Sequence, residues 1–258
     1  MSNKFYNVGI CNFRQRLDMA FLKSRFRLLN FLVRWFVYLL ISSFVYLLFC
    51  KWLIPPITLT QFSAVVHGYG LNRDYVSWNE ISPNAKLAAI ASEDQLFPDH
   101  EGFDWKAIEK SMQEKPIRKK NKARPKGAAA STISQQTAKN VFLWQGSGIT
   151  RYIRKAPEFA YTFLIETIWG KKRIMEVYLN VIEMGKGVFG IEAASQKYFH
   201  KSAKYLSRQE AAMIISCLPN PKKFTVVPVS RRVQWRTPRI LRQMQMIESD
   251  PDISELIH

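Results

Sequence analysis

The stretch Ala91-Ser-Glu-Asp-Gln-Leu-Phe-Pro-Asp-His-Glu-Gly102 sets two adjacent carboxylates, Glu93 and Asp94, where a helix should end. Ser82 is a fitting N-cap for that helix, and Pro83 suits its first turn. Leu87, Ile90 and Ala91 recur at helical spacing, and Pro98 forbids much continuation. A carboxylate at a helix C-terminus feels the negative end of the dipole, and an acidic neighbour adds like charge. Both make it a better proton acceptor, which suits a general base. His100 and the turn residue Gly102 follow at once. Taken alone, an acidic pair at a helix end is ordinarily a solvated terminus, so the rest of the chain decides its meaning.

Downstream, Asp104 to Met112 reads as a short helix. Residues 115 to 126 carry seven Lys/Arg with two prolines and almost no apolar content, the composition of a loop. Such a run is ordinarily a solvated surface, or else an arm for lipid headgroups or a phosphorylated substrate. Residues 131 to 144 look helical, with Ser131 as the expected N-cap. Thr132, Gln136, Lys139 and Asn140 then share one face, a stripe of polar donors suited to a sugar–phosphate ligand. The segment from Arg151 to Gly170 has Arg154 and Glu158 at ion-pair spacing and then turns apolar on several faces, as a core helix does. Glu166 at that depth needs a partner. The helical pattern continues through Lys171 to Asn180, and returns from Gly190 to Phe199 and from Arg208 to Cys217, the last with a capping box from Ser207 to Glu210. Residues 231 to 246 predict a basic final helix broken near Pro238. The domain is therefore read as mostly α, with six to nine helices.

Upstream, residues 57 to 80 are mixed, strand or loop, and before them the composition changes sharply. Residues 1 to 34 carry seven Lys/Arg against one acid, Asp18, and Trp35 to Cys50 then runs sixteen residues without a charge. With Lys51 snorkelling, residues 35 to 54 meet the length of about twenty needed to span a bilayer. The basic flank puts residues 1 to 34 in the cytoplasm and residues 55 to 258 outside it. The net charge of +18 calls for an anionic partner: nucleic acid, anionic lipid or a phosphorylated substrate. Cys11, Cys50 and Cys217 suggest neither a disulfide framework nor a metal cluster, and the four histidines have no metal-binding spacing.

Together these stretches resemble the glycosyltransferase family 51 domain of the peptidoglycan transglycosylases. Glu93-Asp-x-x-Phe97-x-x-His100-x-Gly102 is similar to the first family motif, and Ser131 to Asn140 to the second. Arg154-Lys-x-x-Glu158 resembles the third, Lys172 to Asn180 the fourth, and Arg236 with Ile240, Leu241 and Met244, more weakly, the fifth. The likeness covers about residues 60 to 248, and its weight lies in the order of the motifs. The chain ends soon after the fifth, which points to the monofunctional branch in Gram-negative bacteria rather than to members with a penicillin-binding domain. Ala129-Ala130, where many members have Gly-Gly, and Pro157 inside the third motif are departures.

The resemblance implies a lysozyme-like helical domain that joins the disaccharides of lipid II into glycan strands and releases undecaprenyl diphosphate. The catalytic residues it implies are Glu93, as base toward the acceptor 4-hydroxyl, and Glu158. The substrate-binding residues are Asp94, Phe97, His100, Thr132, Gln136, Lys139, Asn140, Arg154, Lys155 and Arg236. Mg2+ or another divalent cation near Asp94 assists some members; no ligand cluster here demands one. Expected partners are lipid II, the growing glycan, the inner membrane, and cell-division or other wall-synthesis proteins, with no nucleic acid. The catalytic domain is expected in the periplasm. A lytic murein enzyme also uses a Glu against a glycan but needs fewer cations and no anchor. A basic lipid- or nucleic-acid-binding protein accounts for the charge but not for the ordered carboxylates.

Overall fold

The computed structural model describes residues 3–113, 131–146 and 148–258. The basic run at 115–126 and Ala129-Ala130 lie outside the described residues. Contacts divide the chain into two units, residues 1–50 and 51–258.

The first unit is one helix, α1 (Asn3–Phe49). Its segment Arg25–Phe49, 25 residues, is long and apolar enough to cross a membrane. Phe31, Trp35, Phe36 and Leu40 on it are exposed. The helix stops at Phe49, so residues 50–54, expected within the span, lie beyond it.

The second unit runs α2 (Leu59–Val66), β1 (Asn72–Arg73), α3 (Pro83–Glu93), α4 (Trp105–Gln113), α5 (Ile133–Phe142), α6 (Thr150–Ile153), α7 (Lys155–Trp169), α8 (Lys171–Val181), β2 (Glu183–Gly185), β3 (Val188–Phe189), α9 (Ile191–Phe199), α10 (Arg208–Ser216), α11 (Arg231–Ile247) and α12 (Pro251–Ile257). It is richer in helices than expected. The stretch read as strand or loop holds α2, because Thr58 and Gln61 form a capping box. The helical stretch over 151–180 is three helices: α6 ends at Ile153, and Gly170 at φ 78 ends α7 and starts α8. Pro238 does not break α11: it is exposed, while Thr237 and Ile240 beside it are buried and hold the helix on the core.

The core has two layers of helices. In one, α5 packs against α7 and α8 through Ile133, Ile165, Ile174 and Tyr178, all fully buried. In the other, α3 packs against α10 and α11. Helix α3 is buried along most of its length because Ala85, Ala88, Ala89 and Ala91 allow close approach. The short strands form one sheet in the order β1-β3-β2, β1 parallel and β2 antiparallel to β3. This frame leaves the C-terminal end of α3 facing the start of α5, where Glu93 and Asp94 sit.

Candidate active site

Helix α3 runs from the Ser82 cap, with Pro83 first, to Glu93, and Asp94 is its C-cap. The two carboxylates point to different tasks. Asp94 is buried, and its Oδ2 accepts the Ile133 N–H at 2.9 Å, at the first turn of α5. It also pairs with His100 Nε2 at 2.9 Å, while His100 Nδ1 accepts the Gly102 N–H at 3.1 Å. An Nδ1 that accepts requires the tautomer with its proton on Nε2, donated to Asp94. Thr132, not Ser131, caps α5: its hydroxyl accepts the Gln135 N–H and donates to the Gly102 carbonyl at 2.7 Å. Asp94, His100, Gly102 and Thr132 thus form a clip that locks α5 against the end of α3. Phe97, expected at the substrate, is fully buried beneath His100 and Lys171, with no face left for a sugar. Behind the clip, Glu166 finds its partners in Lys171 at 2.8 Å and the Ser134 hydroxyl.

Glu93 is held by three donors of a different kind. Ser92 Oγ donates to Oε1 at 2.9 Å, Arg236 Nη2 reaches Oε1 at 3.1 Å, and Gln136 Nε2 donates to Oε2 at 3.2 Å. Arg236 also donates to Ser92 Oγ at 2.7 Å, so the hydroxyl bridges cation and carboxylate. The Tyr178 hydroxyl donates to Gln136 Oε1 at 3.5 Å. Burial, then Glu93 and Asp94, push the Tyr178 phenol well above its usual range, so it stays a donor.

Glu93 lines one cleft, and its partner Gln136 lines a second. One of about 330 Å³ is lined by Ser92, Glu93, Asp94, Thr132 and Gln243. The other, about 310 Å³, is lined by Gln136, Lys139, Asn140, Glu183, Asn220 and Lys222. Burial pushes the Lys139 ammonium below its usual range, and neighbouring Arg154 pushes the same way, against Glu158. Arg154 is buried; its Nε meets Glu158 Oε2 at 3.2 Å and its Nη1 the Trp144 carbonyl at 2.8 Å. Lys155, half-exposed, meets Glu158 Oε1 at 2.6 Å. Both oxygens of Glu158 therefore hold cations, and Glu158, itself buried, acts on any ligand through Arg154 and Lys155.

Of the residues expected at a site, Glu93, Asp94, Thr132, Gln136, Lys139 and Asn140 line the two clefts, and Arg154, Lys155, Glu158 and Arg236 are their neighbours, whereas Phe97 and His100 lie outside the cleft linings. Asn140 is spent on the Gln136 carbonyl and on Gln145. Sequence reasoning missed Ser92, Tyr178, Glu183, Asn220, Lys222 and Gln243. Ser92 adjoins Glu93 and was open to suspicion; Asn220 and Lys222 sit in a proline-flanked loop with no periodic signal. Burial pushes the Glu183 carboxyl up, against Gly187 and Lys222, the latter at 3.7 Å. Among the described residues no group of three His, Cys, Asp or Glu could hold a metal ion. Asp94, the expected neighbour of a divalent cation, has its oxygens committed to His100 and Ile133, so these residues do not make a cation site.

A mostly helical domain thus carries a carboxylate held by Ser92, Arg236 and Gln136 in one cleft, with a second cleft holding Lys139 and Lys222 beside it. The Transglycosylase family model matches residues 60–245. The chain is 50% identical over 194 residues to proteins named "Biosynthetic peptidoglycan transglycosylase" from Escherichia coli (strain K12 / DH10B) and Shigella boydii serotype 4 (strain Sb227). Each alignment covers 74% of this chain and 77% of the relative. The chain belongs to the transglycosylase family, whose domain is lysozyme-like, and is a glycosyltransferase.

Proposed function

We propose that this glycosyltransferase polymerises lipid II with Glu93 as the general base. The acceptor hydroxyl attacks the anomeric carbon of the growing strand; that carbon's bond to the diphosphate breaks, and the hydroxyl proton passes to Glu93. Lys139 and Arg154 match the negative charge that builds on the departing undecaprenyl diphosphate, the electrostatic part of the catalysis. Glu158 keeps Arg154 and Lys155 aimed. The Glu93 cleft receives the acceptor and the Lys139 cleft the leaving group. A divalent cation, where one takes part, enters with the diphosphate rather than through a protein site. An apolar N-terminal helix of spanning length suits a lipid-linked substrate, with the domain on the periplasmic side of the inner membrane and wall-synthesis proteins as neighbours.

The observation that carries this reading is the position of Glu93, which lines one cleft and is held by Ser92, Arg236 and Gln136, the last of which lines the other. Glu93→Gln keeps the shape and loses the base. It is expected to retain lipid II binding and lose about 100- to 10,000-fold in polymerisation. Labelled lipid II followed by product length measures it; chain growth near the wild-type rate removes Glu93 from the base's role. Shortening of preformed glycan in the same assay speaks for a lytic enzyme instead.

A further inference from the structure

Helix α11 carries a second charged feature beside the site. Arg236, which meets Glu93, shares one helical face with Arg239 and Gln243, at spacings of three and seven residues. Gln243 lines the Glu93 cleft. Along the helix Arg239 lies between Arg236, which meets Glu93, and Gln243, which lines the cleft, and it is exposed. Its guanidinium lies 3.7 Å from the centre of the Trp235 ring, and that of Arg232 lies 5.3 Å from the same centre. Trp235 is half-exposed, so a large aromatic is kept at the surface with a cation stacked on it. Stacking uses the face of the guanidinium and leaves its N–H edge free. Among the described residues the Arg239 side chain has no hydrogen-bond or ion-pair partner.

We propose that Arg239, oriented by Trp235, is a binding residue for an oxyanion of the acceptor, at the rim of the Glu93 cleft. This rests on Glu93 marking the acceptor side. The reasoning is geometric. The reacting hydroxyl is uncharged, but the acceptor it belongs to is anionic, and the cations Lys139 and Arg154 stand on the leaving-group side. The Glu93 cleft needs a cation that does not compete with Arg236 for Glu93. Arg239, one turn along, is that cation. Its fork matches either of two anions with the same chemistry, the acceptor's diphosphate or the carboxylates of its peptide stem.

The test uses the full chain in detergent. A labelled lipid-linked oligosaccharide serves as donor, and lipid II is titrated as acceptor. Arg239→Gln is expected to raise the acceptor KM about ten- to a hundredfold, the range for a hydrogen bond to a charged group, with kcat held. Trp235→Ala should raise KM in the same direction by less, and Arg239→Lys should recover part of the loss. Repeating the titration with an acceptor whose stem carboxylates are amidated identifies the anion. A penalty that disappears assigns the stem; one that persists assigns the diphosphate. An unchanged acceptor KM overturns the proposal. So does a fall in kcat alone, or a KM rise accompanied by a lower melting temperature. Acceptor affinity measured by direct binding in a Glu93→Gln background keeps this separate from the identity of the base.

Discussion

At the scale of single residues, Lys139 is the group whose ionisation should govern the alkaline side of activity. Its ammonium is held below the ordinary value of 10.5, first by burial and then by Arg154, with Glu158 opposing. A lysine so placed loses its proton at a lower pH than a free one, and with it the charge that meets the leaving diphosphate. Activity is therefore expected to decline on the alkaline side below pH 10.5. Lys139→Arg should move that decline upward, because a guanidinium stays charged. A pH–rate profile of both proteins decides it; coincident alkaline limbs sink the assignment. The linkage to stability has a definite sign. The unfolded chain binds this proton more tightly than the folded one, so stability rises with pH between the folded value and 10.5. Lys139 could be suspected from sequence because it shares a helical face with Gln136. Its neighbour Arg154 was also named, but the contact that matters for Glu93 was not visible. Arg236 lies 143 residues away, and no local pattern encodes the distance between α11 and the end of α3.

At the scale of elements, the chain was legible wherever a local signal decides the outcome. Ser82 with Pro83, and Ser207 with Glu210, set helix starts by satisfying orphan backbone N–H groups, and both are where their residue types demand. Local rules failed where two candidates compete or where packing overrides them. Ser131 and Thr132 can both cap; Thr132 does so because the Gly102 carbonyl stands ready to accept its hydroxyl, a contact 30 residues away in sequence. Pro238 ought to stop α11, yet the buried residues around it keep the helix intact. The clip around Thr132 gives a direct prediction. Thr132→Val loses the cap and should lower stability by about 1–2 kcal/mol, while Thr132→Ser stays near wild type. Denaturant unfolding of the domain measures both. A Val variant as stable as wild type but poorly active would instead put the Thr132 hydroxyl on the substrate.

At the scale of the whole molecule, the positive charge divides into two populations. Fixed cations such as Arg154 are buried and bound to carboxylates, whereas the seven basic residues at 115–126 form a sequence run beyond the described residues. The fold class and the order of the site segments were readable because each motif carries its own helix signal. The two clefts were not, since they arise from loops and helices brought together only by packing. This division predicts two different responses to salt. A charge in a partly dry site is poorly screened, whereas a charge in water is screened within about 10 Å at 0.1 M ionic strength. Arg154→Ala removes the partner of Glu158 Oε2 and a cation beside Lys139, so turnover should fall severely at low and high salt alike. Neutralising the lysines at 115–126 should weaken association with an anionic lipid surface by about 1 kcal/mol per charge at low salt, and by less as salt rises. Steady-state kinetics of both variants in vesicles of fixed anionic lipid content, at two ionic strengths, separates them. If the basic-run variant lost turnover equally at both strengths, those lysines would belong to the catalytic cation set, and the reaction would draw on charge from both populations.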